Sequence, residues 1–165
     1  MERVDKTNYY LDIAETISER GTCLRNNYGS VIVKNDEIIS TGYSGAPRGR
    51  KNCLDLGYCT RKQKTDLSGA GFEHCRSVHS EQNAIISASR EKMLGSTLYL
   101  VGFKGEPHEY EEGAAPCLMC RKLIINAGIE KVIVRVTRME YQIFDVNYWI
   151  ENDEYLNGQL EYWVR

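Results

Sequence analysis

The sequence predicts an α/β fold, a sheet covered by helices on both faces. Two observations carry this reading. Short stretches rich in β-branched residues, such as GSVIVK, TLYLVG and KVIVRV, alternate along the chain with stretches of helical period, the order expected of a layered α/β domain. In addition, 165 residues, 42% of them hydrophobic, can bury one proper core and cannot supply two sizeable ones. Residues 1–165 are therefore read as a single domain, without internal repeat, low-complexity segment or linker.

Each element has its own signal. Residues 6–20, KTNYYLDIAETISER, read as an opening helix with Thr7 or Asn8 as cap, Tyr10, Ile13, Ala14 and Ile17 on one side, and a stop at Gly21. GSVIVK and EIISTGY, joined across Asn35 and Asp36, alternate and turn like a β-hairpin. Residues 44–76 carry glycine, charge and three cysteines but no sustained apolar period, so they read as a long loop that needs a staple. Regular structure resumes with a helix from about Val78 to Met93, a strand at 97–102, and an acidic loop. A helix from Pro116 to Ala127, closed by Gly128, and a strand at 131–136 complete the predicted elements.

Composition narrows the function classes. A net charge of −2 does not advertise the basic surface of a nucleic-acid binder. No apolar run approaches the roughly 20 residues of a membrane span, and the N-terminal MERVDKTNYY is too polar for a signal peptide. A cytoplasmic protein is expected. In that reducing compartment the six cysteines read as metal ligands or catalytic groups rather than disulfides.

Two motifs give the cysteines a chemistry. AAPCLMCRKLIINAG places Cys117 and Cys120 three residues apart at a helix start, where such positions share one face and the helix N-terminus favours the ligating thiolate. By itself C-x-x-C leaves metal binding, redox chemistry and coincidence open. Upstream, SVHSEQNAII sets His79 two residues before Glu81 at the head of another helix. His79, Cys117 and Cys120 together make a three-donor zinc set whose fourth position is left for water, the mark of a catalytic site. Glu81 then falls where a proton shuttle is needed.

H-S-E at 79–81 and P-C-L-M-C at 116–120 resemble the H-x-E…P-C-x-x-C signature of zinc-dependent nucleobase deaminases. CLRNNYGSVIVKNDEIISTGYSGAPRG at 23–49, HSEQNAI and INAGIEKVIV are further similar to the deoxycytidylate (dCMP) deaminases. This likeness covers roughly residues 5–136 and leaves the C-terminal segment 137–165 outside its firm part. It implies a cytidine deaminase-like three-layer α/β/α sandwich with a central mixed sheet of about five strands. The implied reaction is hydrolytic deamination of dCMP to dUMP and ammonia, which supplies dUMP for thymidylate synthesis. Zn²⁺ would be held by His79, Cys117 and Cys120, with Glu81 as the shuttle. The resemblance also implies a homo-oligomer, typically a hexamer, with dCTP and dTTP as effectors and Mg²⁺ accompanying the regulatory nucleotide.

Substrate contacts follow from the same resemblance. Arg25 and Arg48 are candidates for phosphate, or else solvated surface arginines; Asn27 is a candidate for base or sugar, or else a turn residue. Ser44 stands where the family loop usually has Asn, which shortens a side chain expected beside base or sugar. Ser80 stands where Ala is usual, a small change expected to be tolerated. The insert at 102–115 brings extra carboxylates, and its His108 is expected to be exposed rather than a ligand. Cys23, Cys53, Cys59 and Cys75 resemble a second, structural zinc set, with His74 as a substitute for one of them; otherwise they are small buried hydrophobes. The aromatic tail is expected to pack on the domain or against another subunit. Other classes stay open: a deaminase of another cytosine nucleotide or of adenosine in tRNA, or a catalytically silent zinc- or nucleotide-binding protein. The acidic balance argues against the RNA substrate, and an intact Glu81 argues against the silent protein.

Overall fold

A computed structural model describes residues 3–64, 72–105 and 108–153. Helix α1 (Lys6–Ser18) precedes the hairpin β1 (Asn26–Lys34) and β2 (Glu37–Tyr43). Asn35 and Asp36 both take positive φ (51° and 68°), the two-residue turn that matches the twist of a hairpin. The expected long loop contains two short helices, α2 (Cys53–Leu56) and α3 (Thr60–Lys64), and a 3₁₀ turn at Phe72–His74. Then come α4 (Ser80–Ile86), α5 (Arg90–Met93), β3 (Thr97–Lys104), α6 (Leu118–Ala127), β4 (Lys131–Arg135), β5 (Tyr141–Asp145) and α7 (Val146–Glu151).

The five strands form one mixed sheet in the order β2-β1-β3-β4-β5. β3 and β4 run parallel and the other neighbours antiparallel. Strand periodicity divides the core into two halves. Ile32, Leu98, Leu100, Val132 and Val134 face α4, α5, α6 and α7, while Val31, Val33, Tyr99, Val101, Phe103 and Ile133 face α1. This is the three-layer α/β/α sandwich that the resemblance implied. Among the described residues no helix is long and apolar enough to cross a membrane.

Several boundaries differ from the sequence reading. The cap of α1 is Asp5, which accepts from the Asn8 N–H at 3.0 Å, so the helix starts a residue before Thr7. The helix expected over 78–93 is split: α4 ends at Ile86, where the Ser87 hydroxyl donates back to the Asn83 carbonyl at 2.7 Å, and Ser89, in extended conformation, is the N-cap of α5 without a side-chain capping bond. β5 and α7 lie in the tail, where only aromatic packing was expected. β5 is an edge strand with mostly exposed residues, so it lacks the alternation that marks a half-buried strand. Trp149 of α7 packs against the α6 side of the core, whereas Tyr148 is exposed; Trp163 lies outside the described residues.

Candidate active site

The site is assembled from two helix starts on the same side of the sheet. His79 is the N-cap of α4 and Cys117 the N-cap of α6, with Cys120 in the first turn of α6. His79 Nδ1 lies 3.5 Å from Cys117 Sγ and 3.4 Å from Cys120 Sγ. Tetrahedral zinc with ordinary Zn–N and Zn–S bonds would separate such donors by about 3.6 Å. These three residues are the one group among the described residues whose candidate ligand atoms all lie within 4.8 Å of one another. The donor set and its spacing therefore fit zinc, with three protein donors rather than four.

Electrostatics agree with that use. Hydrogen bonds from Cys120 and His79 hold the Cys117 thiol far below its ordinary range. The Cys117 neighbour and burial push Cys120 up. The hydrogen bond to Cys117 raises His79. Glu81, in the first turn of α4, is only 4% exposed, and burial raises its carboxyl.

Above these groups opens a cavity of about 250 Å³ bordered by His79, Glu81 and Cys117, near the small end of ligand sites. Of the residues predicted to bind substrate, Arg25 and Ser44 border it. The Ser44 hydroxyl accepts from the Tyr28 N–H at 3.0 Å, so it also holds the loop to β1. Asn27 and Arg48 are not among the lining residues. Asn27 closes a turn on Cys23, accepting from its N–H and donating to its carbonyl, each at 3.1 Å. Arg48 is exposed.

Sequence reasoning missed Asn26, Tyr28, Arg61 and Phe72, which also line the cavity. Asn26 and Tyr28 share one face of β1, and strand alternation puts Asn27 on the other. That parity was available only with the strand start at Asn26 rather than Gly29. The Arg61 guanidinium stacks on Phe72 at 4.0 Å, and the Phe72 ring meets His79 edge-on at 5.8 Å. Both residues come from the long loop, where no periodicity assigns a face. In the insert, His108 is exposed and stacks on Phe103 at 4.1 Å, on the α1 side of the sheet. Burial, with the charge of the nearby Glu111 of the insert, pushes the Tyr28 phenol up to about 12.

Cys23, Cys59 and Cys75 border the same cavity, and Cys53 is buried beside them with all three as electrostatic neighbours. The four sulfurs do not meet the close spacing of the His79 group, and His74 is exposed.

Residues 4–136 match the family described as the cytidine and deoxycytidylate deaminase zinc-binding region. The chain belongs to that family. Among its deaminase relatives, deoxycytidylate deaminase of Mycobacterium phage D29 is 34% identical over 81% of this chain and 96% of its own length. Deoxycytidylate deaminase of Saccharomyces cerevisiae is 30% identical over 84% of this chain, which spans 40% of that longer protein. The crystal structure of dCMP deaminase from cyanophage S-TIM5 in complex with dCMP and dUMP superposes with a TM-score of 0.56. It is 26% identical, with 84% of this chain and 88% of that one covered.

Proposed function

We propose that this chain is a single deaminase domain that hydrolyses dCMP to dUMP and ammonia. The observation that carries the reaction is the juxtaposition of three zinc-compatible donors with a buried carboxylate, Glu81, at one cavity. The substrate is supported by the phage and yeast relatives named for deoxycytidylate and by the cyanophage complex with dCMP and dUMP.

His79, Cys117 and Cys120 would hold the metal, which when bound would acidify water enough to supply a nucleophile at neutral pH. Glu81 accepts the proton of the attacking water and delivers it to N3 of the cytosine ring. The same carboxylate then takes the remaining proton of the hydroxyl added at C4 and passes it to the departing amino group, so that ammonia leaves and the C4 carbonyl remains. The low exposure of Glu81 keeps its raised proton affinity suited to both transfers. Arg25 and Arg61, the cations bordering the cavity, serve the 5′-phosphate, for which a guanidinium fork is suited. Ser44 and Asn26 lie beside the base and sugar.

Four cysteines around one loop support a second, structural zinc at Cys23, Cys53, Cys59 and Cys75, with closure of the set on metal binding. The resemblance supports a cytoplasmic homo-oligomer, a hexamer in the family's usual form, with dCTP and dTTP as effectors and Mg²⁺ alongside.

Conversion of dCMP, CMP and cytidine, followed as uracil product by chromatography, tests the substrate. dUMP formation that exceeds the other two is expected; turnover of cytidine alone would overturn the reading. Zinc analysis of the purified chain tests the second site: two ions per chain are expected, and one per chain would remove it.

A further inference from the structure

Ser80 lies between the metal ligand His79 and Glu81, and its side chain faces inward. Its Oγ donates to Glu81 Oε2 at 3.0 Å and lies 2.7 Å from the Oγ of Ser30. Both serines have no exposed surface. A hydroxyl carries one proton. With the Ser80 proton committed to Glu81, Ser30 must be the donor to Ser80, which orders the chain Ser30→Ser80→Glu81. Ser30 sits on β1, which is hydrogen-bonded to a strand on each side, so the chain ends on a fixed part of the sheet.

The terminal torsion of a glutamate is broad, with no sharp rotamer to set the carboxylate plane. The carboxylate also meets the Glu81 N–H and the Cys120 thiol, and a hydroxyl anchored on the sheet and tied to one oxygen adds the contact that fixes its plane, and hence the direction in which the other oxygen points. We propose that Ser80, held by Ser30, is a positioning residue for Glu81, fixing the carboxylate in the orientation that proton transfer requires. This rests on Glu81 being the proton shuttle. The residue that looks like a tolerated replacement for Ala in the sequence is thereby tied to the reaction.

A purely structural role makes a different prediction from a positioning role. Ser80→Ala strands a buried Ser30 hydroxyl, whereas Ser30→Ala/Ser80→Ala removes both partners and restores stability. If the pair only satisfied buried polar groups, turnover would recover together with stability in the double variant.

The experiment compares zinc-loaded parent, Ser80→Ala and the double variant for kcat and KM on dCMP, melting temperature and zinc content. Crystal structures of the parent and Ser80→Ala complete it. Both variants are expected to lose about 10- to 100-fold in kcat, with KM within about twofold and zinc unchanged. The melting temperature alone returns in the double variant. In the Ser80→Ala crystal the Glu81 carboxylate is expected to rotate or to split over two orientations. Parental kcat in either variant, or an unmoved carboxylate in the crystal, would overturn the inference. If the parent itself releases no ammonia from dCMP, the substrate reading fails, and the carboxylate orientation still decides the role of Ser80.

Discussion

Cys120 is fully buried in the first turn of α6. Cys120→Ala leaves His79 and Cys117 as a two-donor set, too few for the closed part of a zinc tetrahedron. Zinc content is expected to fall by one ion per chain and deamination by at least about 100-fold, read by metal analysis and ammonia release; a variant that keeps the parental zinc content would remove Cys120 from the ligand set. His79, Glu81, Cys117 and Cys120 were legible in the sequence because each pair sits at a helix start, where short spacings decide what shares a face. Substrate-side residues were less so. Arg25 and Ser44 reach the cavity, but Asn27 and Arg48 do not, and Arg61 and Phe72 arrive from a loop whose path only the tertiary fold sets.

Close approach of elements holds the site together. A Cβ on Gly42 of β2 would collide with the Ser80 carbonyl and the Ala84 amide of α4, so the helix carrying Glu81 rests directly on glycine backbone. Gly42→Ala is expected to push α4 outward, costing about 1–3 kcal/mol in denaturant unfolding and lowering turnover as well. Parental stability and activity in that variant would show that α4 has room to spare. The hairpin, β3, α6 and β4 could be read from period and turn chemistry. The break between α4 and α5 could not, since Ser89 takes extended backbone inside a stretch whose apolar period continues. β5 was missed because an exposed edge strand needs no apolar face.

Arg135 ties the sheet to the helix layer on one of its faces. It is 1% exposed and donates to Asp12 Oδ1 and Glu15 Oε2, each at 2.8 Å, and to the Asn8 carbonyl at 3.2 Å. This ties β4 to α1. Arg135→Ala would leave both carboxylates without that partner, and about 3 kcal/mol of stability should be lost. That is the low end for a broken buried pair, because Asp12 and Glu15 are 34% and 27% exposed on their side chains. Urea unfolding measures it; a loss under about 1 kcal/mol would show that the ion pairs merely offset their desolvation. The layered architecture was visible in the alternation of elements, but this tie spans more than a hundred residues of sequence and follows from no local pattern. Whether deamination runs through Glu81 as proton shuttle beside a bound zinc is decided by one comparison. Ammonia release from dCMP is measured for the parent and Glu81→Gln at equal, verified zinc content. A parent that turns over and a variant that keeps its zinc and loses at least about 100-fold in rate are expected. Equal rates in the two proteins would contradict that role of Glu81.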